Sequence, residues 1–207
     1  MQVRKAHIRQ QILTAAEQQF AQRNYSQVTM GAIAGHAGIS TGNIYTYFPN
    51  KKALFQAVLP PEFIETFLQL TQKRIAAFSQ PQGLSPHTCT TEAQELTQFW
   101  INNRLKVIIL LARAEGSEHA DFTQHYIHRM TEQTLQQLPD HLPTLKVTEV
   151  VQFTFNTMLV NDIHTLVSIL QTFDETSKIL KAFEAAGTYQ MAGLQAFTAW
   201  CCPPETP

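Results

Sequence analysis

The segment of residues 29–52, TMGAIAGHAGISTGNIYTYFPNKK, constrains the fold more than any other part of the chain. It contains two short helical patterns separated by a turn with a glycine. Thr29 and Ser40 stand where each helix would begin, and a hydroxyl there can accept a hydrogen bond from a free backbone N–H. Gly38 would end the first helix, because glycine adopts the left-handed conformation at little cost. Two short helices joined in this way form a helix-turn-helix pattern.

The second short helix presents an unusual exposed face. Thr41, Gly42 and Asn43 are small or hydrogen-bonding, and Tyr45 and Tyr47 follow near its end. An ordinary solvated face would carry long charged side chains. A nearly uncharged face rich in hydrogen-bonding groups is suited to base edges and phosphates. Four apolar residues are expected to hold the two helices at a fixed angle: Ile33, Ala34, Ile39 and Ile44.

The segment ends in a basic cap. Pro49 stops the second helix, Asn50 is placed to cap the next one, and Lys51 and Lys52 lie in its first turn. Cations at a helix N-terminus oppose the helix dipole, so a compensating anion such as a phosphate is expected there. Two solvated lysines are the alternative.

Charge is distributed unevenly along the chain. Residues 1–59 contain six basic residues and one acidic residue, whereas residues 60–207 contain nine basic and fifteen acidic ones. A basic N-terminal part on an acidic remainder indicates a polyanionic partner at one end. The alternative is a surface that is merely uneven.

Residues 8–58 resemble the DNA-binding domain of the TetR family of transcriptional regulators, above all in the run AGISTGNIYTYFPNKKALF. The resemblance implies that Thr29, Tyr45, Tyr47 and Lys51 contact phosphates. It also implies that Thr41, Gly42 and Asn43 approach base edges and that Ser40 caps the recognition helix. Gly31 departs from the family pattern, which often has a polar or charged residue there, so no DNA contact is expected from it. The matching residues are Ile12, Ala15, Ala16, Phe20, Tyr25, Thr29, Ile33, Ala34, Ala37, Gly38, Ile39, Ser40, Gly42, Ile44, Tyr45, Tyr47, Phe48, Lys51, Leu54 and Phe55.

The sequence predicts an all-α fold of about nine helices, because glycines and turn dipeptides are few and apolar residues recur every three or four positions. Residues 1–50 are expected to form the helix-turn-helix domain and residues 51–207 a helical bundle for effector binding and dimerisation. The predicted helices are 4–22, 29–36, 40–46, 50–59, 62–79, 92–115, 118–138, 144–171 and 174–200, with a loop at 80–91 and a turn at 139–143.

The last two predicted helices, 144–171 and 174–200, are apolar on too many faces for a monomer surface. The second also carries small residues that permit close helix approach. The two helices are therefore predicted to form half of a four-helix dimer interface, as the resemblance also implies. The alternative is that they are buried inside one monomer.

Aromatic residues of the bundle are expected to surround one cavity. An apolar pocket with a few polar groups is the usual form of a ligand site, and the resemblance implies a small apolar or amphipathic effector. The alternative is plain core packing. The predicted pocket residues are Phe67, Phe99, Trp100, Asn103, Phe122, Tyr126, Gln152 and Asn156.

Other polar clusters give weaker signals. His119, Asp121, His125 and His128 could share a helix face, but they lack a metal-binding motif, so a hydrated surface is favoured and no metal is expected. His164 reads as a core histidine, with a ligand or interface role as the alternative. No nucleophile elbow, phosphate-binding loop or dinucleotide motif occurs, so neither a catalytic residue nor a cofactor is expected, and the chain is not expected to be an enzyme.

The resemblance thus predicts a sequence-specific DNA-binding regulator, acting as a repressor that a small effector releases from a near-palindromic operator in double-stranded DNA. A helical ligand-binding or interaction protein without specific operator binding is the alternative. Three cysteines without a paired motif, and no apolar leader or membrane-length run, predict a cytoplasmic protein without a membrane partner. Cys201 and Cys202 are expected to be unpaired thiols near the C-terminus.

Overall fold

The computed structural model describes residues 2–78, 90–138 and 145–202, without the side chains of residues 2, 3 and 78. Throughout these ranges the secondary structure is helical, with no strand, as the sequence predicts. Ten α-helices are present in the described part: α1 (Gln2–Gln22), α2 (Met30–His36), α3 (Thr41–Ile44), α4 (Lys51–Val58), α5 (Pro61–Phe78), α6 (Thr91–Asn102), α7 (Arg104–Ile108), α8 (Phe122–Gln137), α9 (Glu149–Thr172) and α10 (Thr176–Cys201).

The chain divides into two compact units. Unit 1 is Met1–Thr66 with Asn103–Thr123, and unit 2 is Phe67–Asn102 with Gln124–Pro207. By sequence, unit 1 holds nine basic and six acidic residues, and unit 2 six basic and ten acidic ones. The charge asymmetry of the sequence therefore follows the division into units.

The core of unit 1 forms where α1 packs against α2, α4 and α7. Phe20 is fully buried and meets the ring of Phe55 edge-on, with 5.0 Å between centroids. Tyr25 stacks on Phe20 at 5.8 Å and meets Phe55 at 4.8 Å between ring centroids, so it fills the space between the helices. The other side chains of unit 1 with 0% exposure are Ile12, Ala16, Ile33, Ala34, Ile44, Leu54, Val107 and Ile109.

All three predicted N-caps of the helix-turn-helix segment are confirmed. The Thr29 hydroxyl accepts from Ala32 N at 3.1 Å, the Ser40 hydroxyl from Asn43 N at 3.3 Å, and the Asn50 carbonyl oxygen from Ala53 N at 2.8 Å. Each bond satisfies one of the N–H groups that the start of a helix leaves without a partner.

The turn between α2 and α3 depends on Gly38. Its φ of +68° lies in the left-handed region, as predicted. This conformation lets Ile39 N donate to Ala34 O at 3.0 Å, which is the bond between residues five apart that ends a helix in the Schellman motif.

Lys51 ties the start of α4 to the turn that precedes α2. Its ammonium group donates to Tyr25 O at 2.8 Å and to Val28 O at 2.9 Å, and lies 4.2 Å from the centroid of the Tyr25 ring. Burial lowers the pKa of Lys51. The unfavourable position of this cation near a helix N-terminus is therefore offset within the chain.

The single helix predicted at 92–115 is wrong. The structure breaks it at Asn103, whose φ of −117° and ψ of 30° are not helical, and residues Ile109–Arg113 then form a π-helical turn. Asn102 and Asn103 follow each other, and asparagine is a poor helix former because its side chain competes for backbone hydrogen bonds. Apolar periodicity alone concealed the break.

The helix predicted at 118–138 begins later, at Phe122, because residues 117–121 form turns. The Ser117 hydroxyl accepts from His119 N at 3.0 Å, and Phe122 N donates to His119 O at 3.0 Å. The helix predicted at 144–171 also begins later than expected. It starts after Thr148, whose hydroxyl accepts from Val151 N at 3.3 Å. The predicted turn at 139–143, most of the predicted loop at 80–91 and Cys89 lie outside the described residues.

Unit 2 contains the long helices α9 and α10, which pack against each other. A cluster of Leu135, Leu138, Leu145, Val151 and Phe155 lies at one end of this pair, and Cys201 and Cys202 pack against it as half-buried free thiols. None of the helices within the described ranges combines the length and hydropathy that a bilayer span requires.

Two glycines of the helix-turn-helix segment should respond oppositely to alanine. Gly38→Ala forces a side chain into the left-handed region and should lower the free energy of unfolding by about 1–2 kcal/mol. Gly35→Ala lies inside α2 with open space around its Cβ, so it should raise that free energy by about 0.5–1 kcal/mol. Urea denaturation measures both, and equal effects would contradict the role given to Gly38.

The adjacent lysines should differ in the same measurement. Lys51→Met leaves two carbonyl groups without their charged donor and should cost about 1–3 kcal/mol. Lys52→Met removes only an exposed ion pair to Glu118 at 3.2 Å and should cost about 1 kcal/mol or less. Equal losses would show that the Lys51 contacts do not stabilise the fold.

Candidate nucleic-acid interface and cavity

Helix α3 presents the face that the sequence predicts for base contacts. Thr41, Gly42 and Asn43 are all exposed, whereas Ile44 on the opposite side is fully buried. Because no residue from 37 to 50 is charged, the exposed face consists of hydroxyl, amide and backbone groups. The three residues predicted to approach base edges are thus all accessible to a partner.

The predicted phosphate-contacting residues flank this face. Thr29 is exposed at the start of α2, Tyr45 is 50% exposed just after α3, and Tyr47 is half-buried. The hydroxyls of Thr29 and Ser40 accept from backbone N–H groups within the chain, so the hydrogen of each exposed hydroxyl can still be donated outward. A phosphate oxygen is an acceptor that suits such donors.

The cations near this face have partners within unit 1. Lys51 uses two of its three N–H donors on Tyr25 O and Val28 O, which leaves one donor for another acceptor. Lys52 pairs with Glu118, and the Arg9 guanidinium lies 5.1 Å from the centroid of the Phe48 ring. A phosphate contact of Lys51 stays a prediction, but the structure does not require a phosphate to explain its position.

Gly31 lies beside the recognition helix. A Cβ placed on it would lie 3.8 Å from the Thr41 hydroxyl oxygen and 4.0 Å from that of Thr29, which are ordinary contact distances. Its φ is not in the positive region, so the backbone does not demand glycine there. Gly31 therefore leaves room beside Thr41 without being required by the fold.

Unit 2 contains a cavity of about 510 Å³ lined by α5, α6, α8, α9 and α10. Its wall is mainly apolar and includes the aromatic residues Trp100, Tyr126, Phe155 and Phe183. Trp100 and Phe183 lie 5.7 Å apart between ring centroids. Tyr189 also lines the cavity while its side chain is 82% exposed, so this residue lies at the mouth.

Few polar groups interrupt this wall. The Thr71 hydroxyl donates to Phe67 O at 2.9 Å, so in its 3.0 Å contact with the Tyr126 hydroxyl the tyrosine must donate. Burial raises the pKa of Tyr126, which keeps that donor neutral. On α9, burial raises the pKa of Asp162 to about 6, and a hydrogen bond from Gln190 acts in the opposite direction.

Two of the eight predicted pocket residues, Trp100 and Tyr126, line this cavity. Phe67 is fully buried behind the wall, with its ring centroid 6.3 Å from that of Phe99 and 5.2 Å from that of Tyr126. The other predicted residues take other places: Gln152 is exposed, Asn156 accepts a bond from the Thr131 hydroxyl at 3.2 Å, and Asn103 and Phe122 belong to unit 1.

The sequence interpretation missed Arg74, Asp162 and Gln190, which line the cavity. A usable signal existed for one of them. Asp162 is the only acidic or basic residue, histidine apart, between Glu149 and Asp174. A lone carboxylate is costly to bury unless something compensates it, so it indicates a special role.

The histidine predictions have different outcomes. Within the described ranges, no three His, Cys, Asp or Glu side chains group closely enough to hold a metal ion. His128 pairs instead with Glu132, 3.4 Å away on the same helix face. His164 is exposed on α9, so its interpretation as a core histidine is wrong.

The exposed sides of α9 and α10 are unusually poor in charge. On α9 the exposed stripe includes Val150 (59% exposed) and Phe153 (71% exposed). Residues 185–202 contain no Asp, Glu, Lys, Arg or His, and α10 exposes Tyr189 and Trp200 at 82% and 64%. Ile179 is the only residue of α10 classed as buried. This surface is less polar than the surface of an ordinary monomer.

The family model and the curated relatives match the N-terminal part of the chain. Residues 12–58 match the model of a family described as bacterial regulatory proteins, tetR family. The HTH-type transcriptional repressor BepR of Brucella suis biovar 1 (strain 1330) is 43% identical over 54 residues, 26% of each chain. The HTH-type transcriptional regulator UidR of Escherichia coli (strain K12) is 32% identical over 81 residues, 39% of this chain and 37% of its own.

These alignments span well under half the length of the curated relatives. A solved TetR-like transcriptional regulator from Rhodococcus sp. RHA1 is 24% identical, with 93% of each chain covered and a TM-score of 0.48. The matched residues 12–58 reach from α1 to the end of α4 and include both capped helices of the helix-turn-helix segment. Over residues 12–58, the chain is therefore similar to the tetR family of bacterial regulatory proteins.

Proposed function

We propose that this protein is a sequence-specific DNA-binding transcriptional regulator, acting as a repressor that a small molecule releases from its operator. The exposed and uncharged face of the capped helix α3 carries the proposal. This face lies within the residues that match the tetR family, and it offers hydroxyl and amide donors and acceptors that suit base edges. Residues 1–50 are assigned to DNA binding and residues 51–207 to effector binding and dimerisation.

On DNA, Asn43 is assigned the main direct base contact, because an amide can pair with adenine through two hydrogen bonds. Thr41 and Gly42 allow close approach beside it. Thr29, Tyr45, Tyr47 and Lys51 are assigned to phosphates, which fix the position of the helix but carry no sequence information.

The active species is proposed to be a homodimer formed through residues 144–171 and 174–200. The exposed apolar residues of α9 and the uncharged stretch 185–202 of α10 support this, since exposed apolar surface of this kind marks an interface. A dimer would present two α3 helices to a near-palindromic operator in double-stranded DNA, about 34–36 Å apart.

The cavity of unit 2 is assigned to the effector. An effector that binds better to a conformation unable to reach both half-sites lowers operator affinity, and operator DNA then lowers effector affinity by the same factor. Repression is favoured over activation because occupying a promoter needs no contact with polymerase. The site of action is the cytoplasm, where the operator lies, and no catalytic step is required.

Two substitutions should separate base reading from phosphate anchoring. Operator duplexes are first selected from a random DNA pool with the purified full-length protein. Asn43→Ala should weaken binding to the selected duplex roughly 10- to 100-fold and leave binding to random DNA unchanged. Tyr45→Phe should weaken both by the same factor. If no sequence is enriched, the protein is not a specific regulator. If Asn43→Ala weakens both DNAs equally, Asn43 does not read bases.

The dimer surface is tested by placing a charge on it. Phe153→Lys or Tyr189→Lys should weaken self-association roughly thirtyfold or more, because a lysine would have to be buried in the interface. Gln136→Lys, on an exposed position of α8, is the matched control and should change nothing. Analytical ultracentrifugation measures both, and dimers that survive both substitutions would rule out this surface.

A further inference from the structure

The cavity of unit 2 contains a carboxylate without a cationic partner. Asp162 lines it from α9, and its hydrogen bond from Gln190 satisfies only part of the acceptor capacity of two carboxylate oxygens. Among the ion pairs formed by described residues, none includes Asp162. An anion in a mainly apolar cavity is costly unless a positive charge or further donors compensate it.

The same cavity contains a donor without an acceptor. The Trp100 Nε1–H is buried and has no hydrogen-bond partner among the described residues. Indole nitrogen can only donate, and buried tryptophan usually finds a partner for it. Trp100 lies on α6, whereas Asp162 lies on α9, so the two polar groups belong to different walls of the cavity.

We propose, building on the effector role assigned above, that the cavity binds mainly apolar molecules that carry a protonated amine for Asp162 and a hydrogen-bond acceptor for Trp100 Nε1. The aromatic faces of the wall favour the same class, since cations are attracted to ring faces and apolar skeletons gain from burial. At about 510 Å³ the cavity admits a molecule of drug size.

An acidic effector is the main competing class, because Arg74 also lines the cavity. Arg74 takes part in an interaction within the chain, and its buried Nη1 can still donate to an acceptor on a ligand, as Trp100 Nε1 can. Asp162 has no cation as a partner in any described ion pair, and this favours an amine over an acid. The charged and titratable lining groups are Arg74, Tyr126, Asp162 and Tyr189.

The first experiment compares head groups on one skeleton. The probes are 4-phenylbutylamine, 4-phenylbutanol and 4-phenylbutyrate, titrated calorimetrically into the full-length protein without DNA at pH 8. The amine should bind at least tenfold tighter than the alcohol or the acid. Asp162→Asn should remove this preference, and Asp174→Asn, an exposed aspartate outside the cavity, should keep it. Equal binding of the three probes, tighter binding of the acid or no binding of the amine would overturn the proposal.

The pH dependence gives an independent readout. The pKa of Asp162 is about 6, while an alkyl ammonium stays charged across this range. The preference for the amine over the alcohol, neither of which changes its charge in this range, should therefore fall between pH 8 and pH 5 in the parent protein. It should be absent at both values in Asp162→Asn, and a preference that does not change with pH would contradict the assignment to Asp162.

A second pair of probes tests Trp100. Adding a para-acetyl group to 4-phenylbutylamine supplies a carbonyl acceptor, which should tighten binding severalfold in the parent protein. Trp100→Phe should remove this gain, measured as the ratio of the affinities for the two amines within each protein. A gain that persists in Trp100→Phe would show that the acceptor is bound elsewhere.

Location and fold can be checked with the same protein. The chain has two tryptophans, so Trp200→Phe leaves Trp100 as the only tryptophan whose emission is observed. Trp200 is 64% exposed and does not line the cavity. Amine binding should shift the Trp100 emission, and no shift on saturation would place the amine outside the cavity. Because these measurements contain no DNA, failure of operator selection would leave them valid. Equal binding of all head groups would reject only the proposed ligand class.

Discussion

One ammonium group holds together the part of the chain that faces DNA in the proposed function. Lys51 Nζ reaches the carbonyls of Tyr25 and Val28 and the face of the Tyr25 ring, so it links the start of α4 to the turn before α2. Tyr25 in turn packs on Phe20 and Phe55, which joins α1 to α4. The orientation of α2, and through Gly38 that of α3, therefore depends on contacts that lie outside both short helices.

The helix-turn-helix segment could be predicted from the sequence because its determinants are local. A hydroxyl or amide at Thr29, Ser40 and Asn50 meets a backbone N–H three residues later, and Gly38 acts on its own φ angle. Such signals need no knowledge of the rest of the fold. The role of Lys51 was hidden because its acceptors lie 23 and 26 residues earlier in the chain.

The bundle was harder to predict for the same physical reason. Apolar periodicity gave the existence of the long helices, but the break at Asn103 and the π-helical turn that follows α7 depend on backbone geometry that periodicity does not report. The cavity brings together side chains from five helices, so counting aromatic residues found Trp100 and Tyr126 but not Asp162. Positions that violate the local pattern, such as the single acid between Glu149 and Asp174, carried more information about the cavity than positions that follow the pattern.

The uncharged face of α3 also has a consequence for the salt dependence of binding. Binding that relies on released counterions weakens steeply as the salt concentration rises. Here the neutral recognition face contributes no cation, Lys52 is paired with Glu118, and Lys51 has two carbonyl partners. Hydroxyl and amide contacts depend far less on ionic strength. In the proposed DNA complex, base reading by α3 would therefore depend less on ionic strength than phosphate anchoring by the basic N-terminal part does.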